Sequence, residues 1–434
     1  MPVICIDFGT SSIRAAVKNE DSNPVPLAIA SESTIDNASI PSYITLSASG
    51  GHIFFGNSAL TEALTNGGSG ATFEPSPKAW FFTTNVAMLD KKSFGHHEFT
   101  RFELIAALVS FAGQRASDAA KKTLGPAKNM SFRITHPIWP NEIALQVSRK
   151  YEVLLALLNC GAGSGLKAKM TARSLRTWCD KILEPVINSK LSKSIPDPEE
   201  PIAAAIQLIG TPKANLRELH LVVDVGAGTS DLGLFLNVLP ANGENRKLAS
   251  LCAPRSIFLA GDHLDDTLMR EVETHSPNAS AISLADFRNN IRKNKERLFA
   301  DNKIKIPGSR AILKLADFEI LPAIQDMGDA LEQAVKEMVR GSLITEGSGA
   351  HQLDKISVVY AGGGGELGFV RERVYKALKQ YLPRVVVTEA PIKTPRNFGV
   401  DATLPRMAVA LGGTCPKDLW PKGKVKASRY PFVG

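Results

Sequence analysis

Two short segments of this chain carry residue types that suit a phosphate chain: Asp7-Phe8-Gly9-Thr10-Ser11-Ser12 and Asp224-Val225-Gly226-Ala227-Gly228-Thr229-Ser230-Asp231. Glycine in a tight turn lets the backbone approach an anion, and successive N–H groups then form a nest for phosphate oxygens. The hydroxyls of Thr10, Ser11, Thr229 and Ser230 add donors. Asp7 and Asp224 each offer a hard oxygen, which suits a hydrated Mg²⁺ because that ion keeps several waters and takes only one or two carboxylates. Alone, either segment is an ordinary hairpin turn; facing one another, the two would clamp a polyphosphate from both sides. A third segment, Gly362-Gly363-Gly364-Gly365, adds a glycine-rich turn after an apolar run. No Gly-x-x-x-x-Gly-Lys-Ser/Thr sequence occurs, which excludes a Walker-type loop. A complete Gly-x-Gly-x-x-Gly fingerprint after a strand is also missing.

The elements that must position these residues follow from periodicity. Val3-Ile4-Cys5-Ile6 is an apolar run ending at Asp7, after which Ile13, Ala15 and Val17 alternate with polar residues. Two such runs around a tight turn read as a β-hairpin. Leu219 to Val223, Asp224, and the alternating Leu232, Leu234 and Leu236 repeat that layout. Helices are expected over 101–122, where Leu104, Leu108 and Phe111 fall at helical spacing, over 141–158, and from about 366 to 381. Strands are expected at 132–135, stopped by Pro137 and Pro140, and at 355–361. Two copies of one hairpin imply an α/β protein of two related lobes with a cleft between them. The first lobe spans 1–205, with 36–100 as its periphery and 161–199 as an insertion read as a surface excursion. The second spans 206–397, with 263–319 as its periphery. Residues 398–414 return as a helix to the first lobe, and 415–434 form a loosely held basic tail.

Composition bounds the function. The chain has 434 residues, 44% of them apolar and 22% charged, close to the usual globular values of about 45–50% and about 25%. That excludes a disordered chain, a collagen and a coiled coil. No apolar stretch approaches the ~18 residues of a membrane span, and MPVICIDFGT lacks a signal peptide's basic start, so a soluble, cytoplasmic protein is expected. The five cysteines are scattered without a Cys-x-x-Cys pair, which reads as reduced structural thiols. The net charge of +8 is mild. The run Arg292-Lys293-Asn294-Lys295-Glu296-Arg297 reads as a solvated helix face, and the tail adds Lys422, Lys424, Lys426 and Arg429; neither argues for nucleic acid. His96 and His97 are adjacent and so point to different faces, which argues against a metal site. Trp80, Phe81 and Phe82 read as core, and Glu332, Lys336 and Arg340 as solvated i, i+4 pairs.

At this point the residues resemble a known group, the actin-like ATPase superfamily, and within it the heat-shock protein 70 branch. IDFGTSSIRAAV resembles the first phosphate motif, VVDVGAGTSDLGLF the second and VVYAGGGGELGFV the adenosine motif. Ile40-Pro41-Ser42-Tyr43 with Gly56, Glu200-Pro201-Ile202-Ala203-Ala204-Ala205, and Leu259-Ala260-Gly261-Asp262-His263-Leu264-Asp265 are similar to further segments of that branch, in collinear order over most of 1–413.

The resemblance implies duplicated ribonuclease-H-like lobes around a nucleotide cleft, with ATP and Mg²⁺ as cofactors. It implies that Asp7 and Asp224 hold the Mg²⁺ shell through water, and that Asp224 also orients the attacking water. Glu200 would sit on the water network and link nucleotide state to lobe movement, and Lys78 would stand near the γ-phosphate. Gly9, Thr10, Ser11, Gly226, Gly228, Thr229, Ser230 and Gly261 would line the phosphates, with Asp231 supporting the second turn. Gly362, Gly363, Gly364 and Lys295 would meet the nucleoside. The adenine-clamp helix departs from the pattern: its Glu, Lys, Arg and Ser positions hold Arg292, Lys295, Glu296 and Phe299, so only Lys295 matches. The resemblance is to the nucleotide-binding half alone, so the apolar linker and peptide-binding β-domain of a full chaperone are not expected after residue 413.

The expected function is a slow ATPase that switches conformation and partner binding, chaperone-like or regulatory, with a protein partner or client and no membrane. A filament-forming or nucleotide-sensing scaffold is the main rival, and a small-molecule kinase the lesser one. Fold alone does not choose among them, and the oligomeric state stays open.

Overall fold

The apolar run that ends at Asp7 and the alternation that follows the turn fold as the hairpin they predict. Strands β1 (Val3–Phe8) and β2 (Ser12–Lys18) run antiparallel with Asp7 opposite Arg14 and Phe8 opposite Ile13. The computed structural model describes residues 1–20, 22–30, 37–66, 70–82, 99–126, 129–138, 141–189, 199–209, 217–238, 247–342, 355–390, 404–416 and 419. Contacts divide the chain into two units, one of Met1–Gln207 and Ile392–Lys417, the other of Leu208–Pro391 and Asp418–Gly434. The class is mixed α/β, with several sheets.

In the first unit, β3 (Val25–Pro26), β4 (Ser39–Pro41), β5 (Ile44–Leu46) and β6 (His52–Phe55) lead to helix α1 (Asn57–Asn66) and β7 (Thr72–Glu74). A 3-10 turn, Pro77–Phe82, carries Lys78. Helix α2 (Arg101–Leu124) starts with a reciprocal cap: the Thr100 hydroxyl accepts from the Glu103 N–H, and the Glu103 carboxylate accepts from the Thr100 N–H, satisfying two donors that a helix start leaves open. Then come β8 (Ser131–Thr135), α3 (Asn141–Asn159), β9 (Lys169–Thr171), α4 (Ala172–Trp178), α5 (Glu184–Asn188) and α6 (Glu200–Leu208). The main sheet has the order β3-β2-β1-β8, with β1 and β8 parallel and β4 also on β2. Its core gathers Ile4, Ile6 and Phe8 with Leu104 and Leu108 of α2.

The stretch from 161 is no surface excursion. Its strand β9 pairs with β6, Ile53 opposite Met170, and completes the second sheet, β7-β5-β6-β9. Leu166, Ala172, Leu175, Trp178, Cys179 and Leu183 are buried in the first unit's core, and the Trp178 indole N–H donates to the Ala162 carbonyl at 2.7 Å. A π-helical turn, Cys179–Leu183, joins α4 to α5. Residues 190–198 lie outside the described residues.

The second unit repeats the first unit's hairpin on a longer scale. Strands β10 (Arg217–Val225) and β11 (Ser230–Val238) pair antiparallel, followed by β12 (Lys247–Ser250), β13 (Arg255–Ile257) and helices α7 (Gly261–His275), α8 (Ala281–Asn289) and α9 (Ile291–Asp301). A small ribbon of β14 (Lys303–Lys305) and β15 (Ile312–Lys314) precedes α10 (Leu315–Glu319) and α11 (Pro322–Gly341). Then follow β16 (Lys355–Ala361), α12 (Gly368–Tyr381) and β17 (Val386–Glu389). The sheet order is β12-β11-β10-β16-β17, with β16 parallel to β10. Helix α13 (Leu404–Gly413) belongs to the first unit, where it packs on β1 and β2.

Three surface readings change. Glu332 of α11 reaches across to Arg373 (2.7 Å) and Lys376 (3.2 Å) of α12, while Lys336 and Arg340 stand over the Tyr381 ring; these charges join two helices. Arg292 and Lys295 turn inward to Asp262 and Asp265 of α7, so that run is not wholly a solvated face. Cys415, placed in the tail, is buried, and the Arg133 guanidinium donates to its carbonyl. All five cysteines are free thiols. Trp80 packs against the first unit's core, as expected. His96, His97, Lys422, Lys424, Lys426 and Arg429 lie outside the described residues. No helix among those described is long and apolar enough to cross a membrane.

Candidate functional site

Each unit builds a turn around one aspartate. Asp7 and Asp224 are both the penultimate residues of their strands. Two residues on, the Gly9 N–H donates to the Ser12 carbonyl (3.1 Å), and the Gly226 N–H donates to the Thr229 carbonyl (2.9 Å). The two turns are thus closed by the same bond at the same offset.

In the first unit the buried Ser42 pins the turn. Its hydroxyl donates to the Gly9 carbonyl at 2.8 Å and its N–H to the Ser11 carbonyl at 3.0 Å. Both bonds go to main-chain carbonyls and hold the turn from Gly9 to Ser11 in place. The same unit collects Lys78 and Glu200 from elements 122 residues apart: the Lys78 ammonium lies 2.7 Å from Glu200 Oε1, and both side chains are buried. Glu200 starts α6, and its N–H donates to the His136 carbonyl just beyond β8. Lys78 also stands over the Phe8 ring, 5.8 Å from its centroid.

Burial alone would depress the Lys78 ammonium. The negative charge of Glu200, with smaller contributions from Tyr151 and Asp7, outweighs it and holds Lys78 above its ordinary range. Asp7 shifts in the same direction, which for a carboxyl disfavours the ionised form. Burial, then the charge of Glu200, push it up to about 7 against the pull of Arg14 and Lys78. A buried carboxylate under that pressure is a good partner for an incoming cation.

In the second unit the Thr229 hydroxyl donates to Asp231 Oδ2 at 2.7 Å, and the Ser230 hydroxyl to the Leu259 carbonyl at 2.7 Å. The start of α7 closes on the turn, the Gly261 N–H donating to the Gly226 carbonyl (3.1 Å) and the Asp262 N–H to the Ala227 carbonyl (2.6 Å). Lys295 of α9 donates to the Gly261 carbonyl at 2.7 Å and pairs with Asp265 at 2.8 Å. The tetraglycine turn lies against the same aspartate. Gly362 has φ +69°, and a Cβ there would sit 2.6 Å from Asp224 Oδ1 and 2.3 Å from the Val225 carbonyl oxygen. Only glycine meets both demands.

The expected residues therefore fall into two groups. Asp7, Gly9, Thr10, Ser11, Lys78 and Glu200 belong to the first unit. Asp224, Gly226, Gly228, Thr229, Ser230, Asp231, Gly261, Lys295, Gly362, Gly363 and Gly364 belong to the second. Phe299, at a clamp position, stacks on Phe369 and meets Phe318 edge-on, so it is part of the core's aromatic packing. Ser42, Arg14 and Arg371 were not foreseen as contributors. Arg371 donates to the Gly365 carbonyl (3.1 Å) with its guanidinium over the Tyr360 ring. Ser42 alone had a sequence signal, its place beside Pro41. Among the described residues no three His, Cys, Asp or Glu side chains could together hold a metal ion, so a cation at Asp7 or Asp224 would keep water in most of its coordination sphere. No family model matches this chain, and no curated protein matches it.

Proposed function

We propose that the chain is an actin-like ATPase of the heat-shock protein 70 type. In this reading it has two ribonuclease-H-like lobes, binds Mg·ATP through both Asp-Gly turns, and hydrolyses it slowly to change conformation and partner binding. The observation that carries this reading is the duplication: a penultimate aspartate, a glycine two residues on, an identical closing hydrogen bond and a parallel strand beside the first, built twice in one chain. One such turn is common; two within one chain suit a polyphosphate, whose several anionic groups two backbone nests can share.

The turn amides and the hydroxyls of Thr10 and Ser11 bind phosphate oxygens in this scheme. Asp231 fixes the Thr229 hydroxyl so that its lone pairs face a defined direction. Asp224 accepts a hydrogen bond from the attacking water and orients it. Lys78, released in part from Glu200, answers the charge of the terminal phosphate. Mg²⁺, when bound, neutralises charge that develops on the transferred group. Positioning and charge stabilisation are most of what phosphoryl transfer asks of a protein.

Single-turnover hydrolysis of ATP, with and without Mg²⁺, tests the reading on the natural chain and on Asp224→Asn. Slow Mg²⁺-dependent cleavage, lost in the variant while ATP still binds, is the expected result. Tight binding without cleavage in either protein would favour the nucleotide-sensing scaffold, and no binding by either would sink the site assignment.

A further inference from the structure

The ribbon β14–β15 has a face that the site does not use. Its strands pair with Lys303 opposite Lys314, Ile304 opposite Leu313 and Lys305 opposite Ile312. Ile304 and Leu313 turn toward the unit's core, whereas Lys303, Lys305, Ile312 and Lys314 share the outer face, all exposed, with Ile312 at 55%. Like charges directly opposite one another on paired strands are destabilising, yet Lys303 and Lys314 stand so. No hydrogen bond or ion pair engages the side chains of Lys303, Lys305, Arg310 or Lys314 among the described residues.

The backbone along β14 is open as well. The Leu315 N–H donates to the Asn302 carbonyl, and the Ile306 N–H to the Ala311 carbonyl, so the bonded pairs of this ladder are the even-numbered residues of β14. Antiparallel pairing then turns the N–H and C=O groups of Lys303 and Lys305 outward, to an edge that no further strand among the described residues pairs with. An open depression of about 570 Å³ is lined by Asp301, Lys303, Ile304, Lys305, Arg310 and Ile312.

Lysines commonly blunt an edge strand against aggregation. That purpose needs no cross-strand pair of like charges and no isoleucine left half exposed between them. We propose that the outer edge of β14 is a docking site for an extended acidic segment of a partner protein, which adds a strand at Lys303 and Lys305. Main-chain bonds to the edge supply affinity in strand addition, and alternate side chains supply selectivity. Here alternate acidic residues of the added strand would share the outer face with Lys303 and Lys305, and the apolar residues between them would turn to the other face, beside Ile304. Nucleic acid suits the face less well, because Phe287, Phe299 and Phe318 pack into the core and leave it no ring on which bases stack. The inference stands whether or not the chain hydrolyses ATP.

Fluorescence anisotropy with a labelled eight-residue peptide of alternating glutamate and valine, on the full chain, reads the binding directly. Micromolar affinity is expected, weakened at least tenfold by Lys303→Glu with Lys305→Glu at unchanged melting temperature. Hydrogen exchange at the Lys303 and Lys305 amides should slow in the complex. A peptide N-methylated at alternate residues keeps the charge and cannot add a strand; equal affinity for it would overturn the proposal. So would failure of the first peptide to bind at millimolar concentration. Oligouridylate of matched charge that binds as tightly, without slowed exchange, would mark a general polyanion patch and overturn it too.

Discussion

Removing the Glu200 carboxylate while Lys78 stays in place strands an ammonium that is only 3% exposed. Breaking a buried pair from one side typically costs about 3–5 kcal/mol, whereas replacing both partners by apolar groups is often near neutral. Glu200→Gln should therefore lower the urea midpoint sharply, and Lys78→Met with Glu200→Leu should recover most of it. A single variant as stable as the natural chain would mean that water reaches the pair. Asp7 gives a second test at this scale. Its folded-state value of about 7 lies above the unfolded value near 3.8, so between those pH values the folded chain holds a proton the unfolded chain has released. Stability must then fall as pH rises from about 4 to about 7, with the penalty complete above 7 and absent below 4. Urea unfolding in EDTA at pH 5 and pH 8 should show a smaller loss for Asp7→Asn than for the natural chain. Equal losses would mean that Asp7 titrates normally.

At the scale of elements, α6 matters because it presents Glu200, and α13 sets where α6 lies. A Cβ at Gly412 of α13 would sit 1.8 Å from the Ala203 carbonyl oxygen of α6, so the helices touch through backbone. Gly412→Ala must push them apart; overpacking of this kind costs about 1–3 kcal/mol, and the displaced Glu200 would loosen from Lys78. A lower unfolding midpoint is expected, with weaker ATP binding if the proposed nucleotide site uses Glu200, whereas an unchanged midpoint would show that the helices part freely. How much of this was legible in the sequence depended on distance along the chain. Both hairpins could be read because a period of two survives in runs such as Leu232, Leu234 and Leu236, and because the aspartate and glycine fall at fixed offsets. The helix over 101–122 was similarly plain and extends to Leu124. Strand β9 has three residues and no periodic signal, and it is placed only by pairing with β6 more than a hundred residues earlier. The same reason hid the Lys78–Glu200 pair as a pair: each residue could be named from its surroundings, but their contact exists only once the 3-10 turn, the sheet and α6 are assembled.

At the scale of the whole molecule, the two hydrophobic cores have separate memberships. One is built on β1, β2 and α2; the other on β10, β11, α11 and α12. Chains with more than one core depart from two-state unfolding, so calorimetry of the nucleotide-free protein should resolve two transitions. Gly412→Ala should lower only the one that belongs to the first unit. A ligand stabilises whatever must stay folded to bind it, by about 2.7 kcal/mol at a hundredfold excess over its dissociation constant. If Mg·ATP uses both Asp-Gly turns, it must raise both transitions and draw them together, because neither unit can unfold without releasing it. If only the second unit's turn and the Gly362 loop hold the nucleotide, one transition will move and the other will stay. That second result would leave Asp7, Lys78 and Glu200 as a buried charge cluster with a structural role, and would confine nucleotide recognition to one copy of the duplicated hairpin.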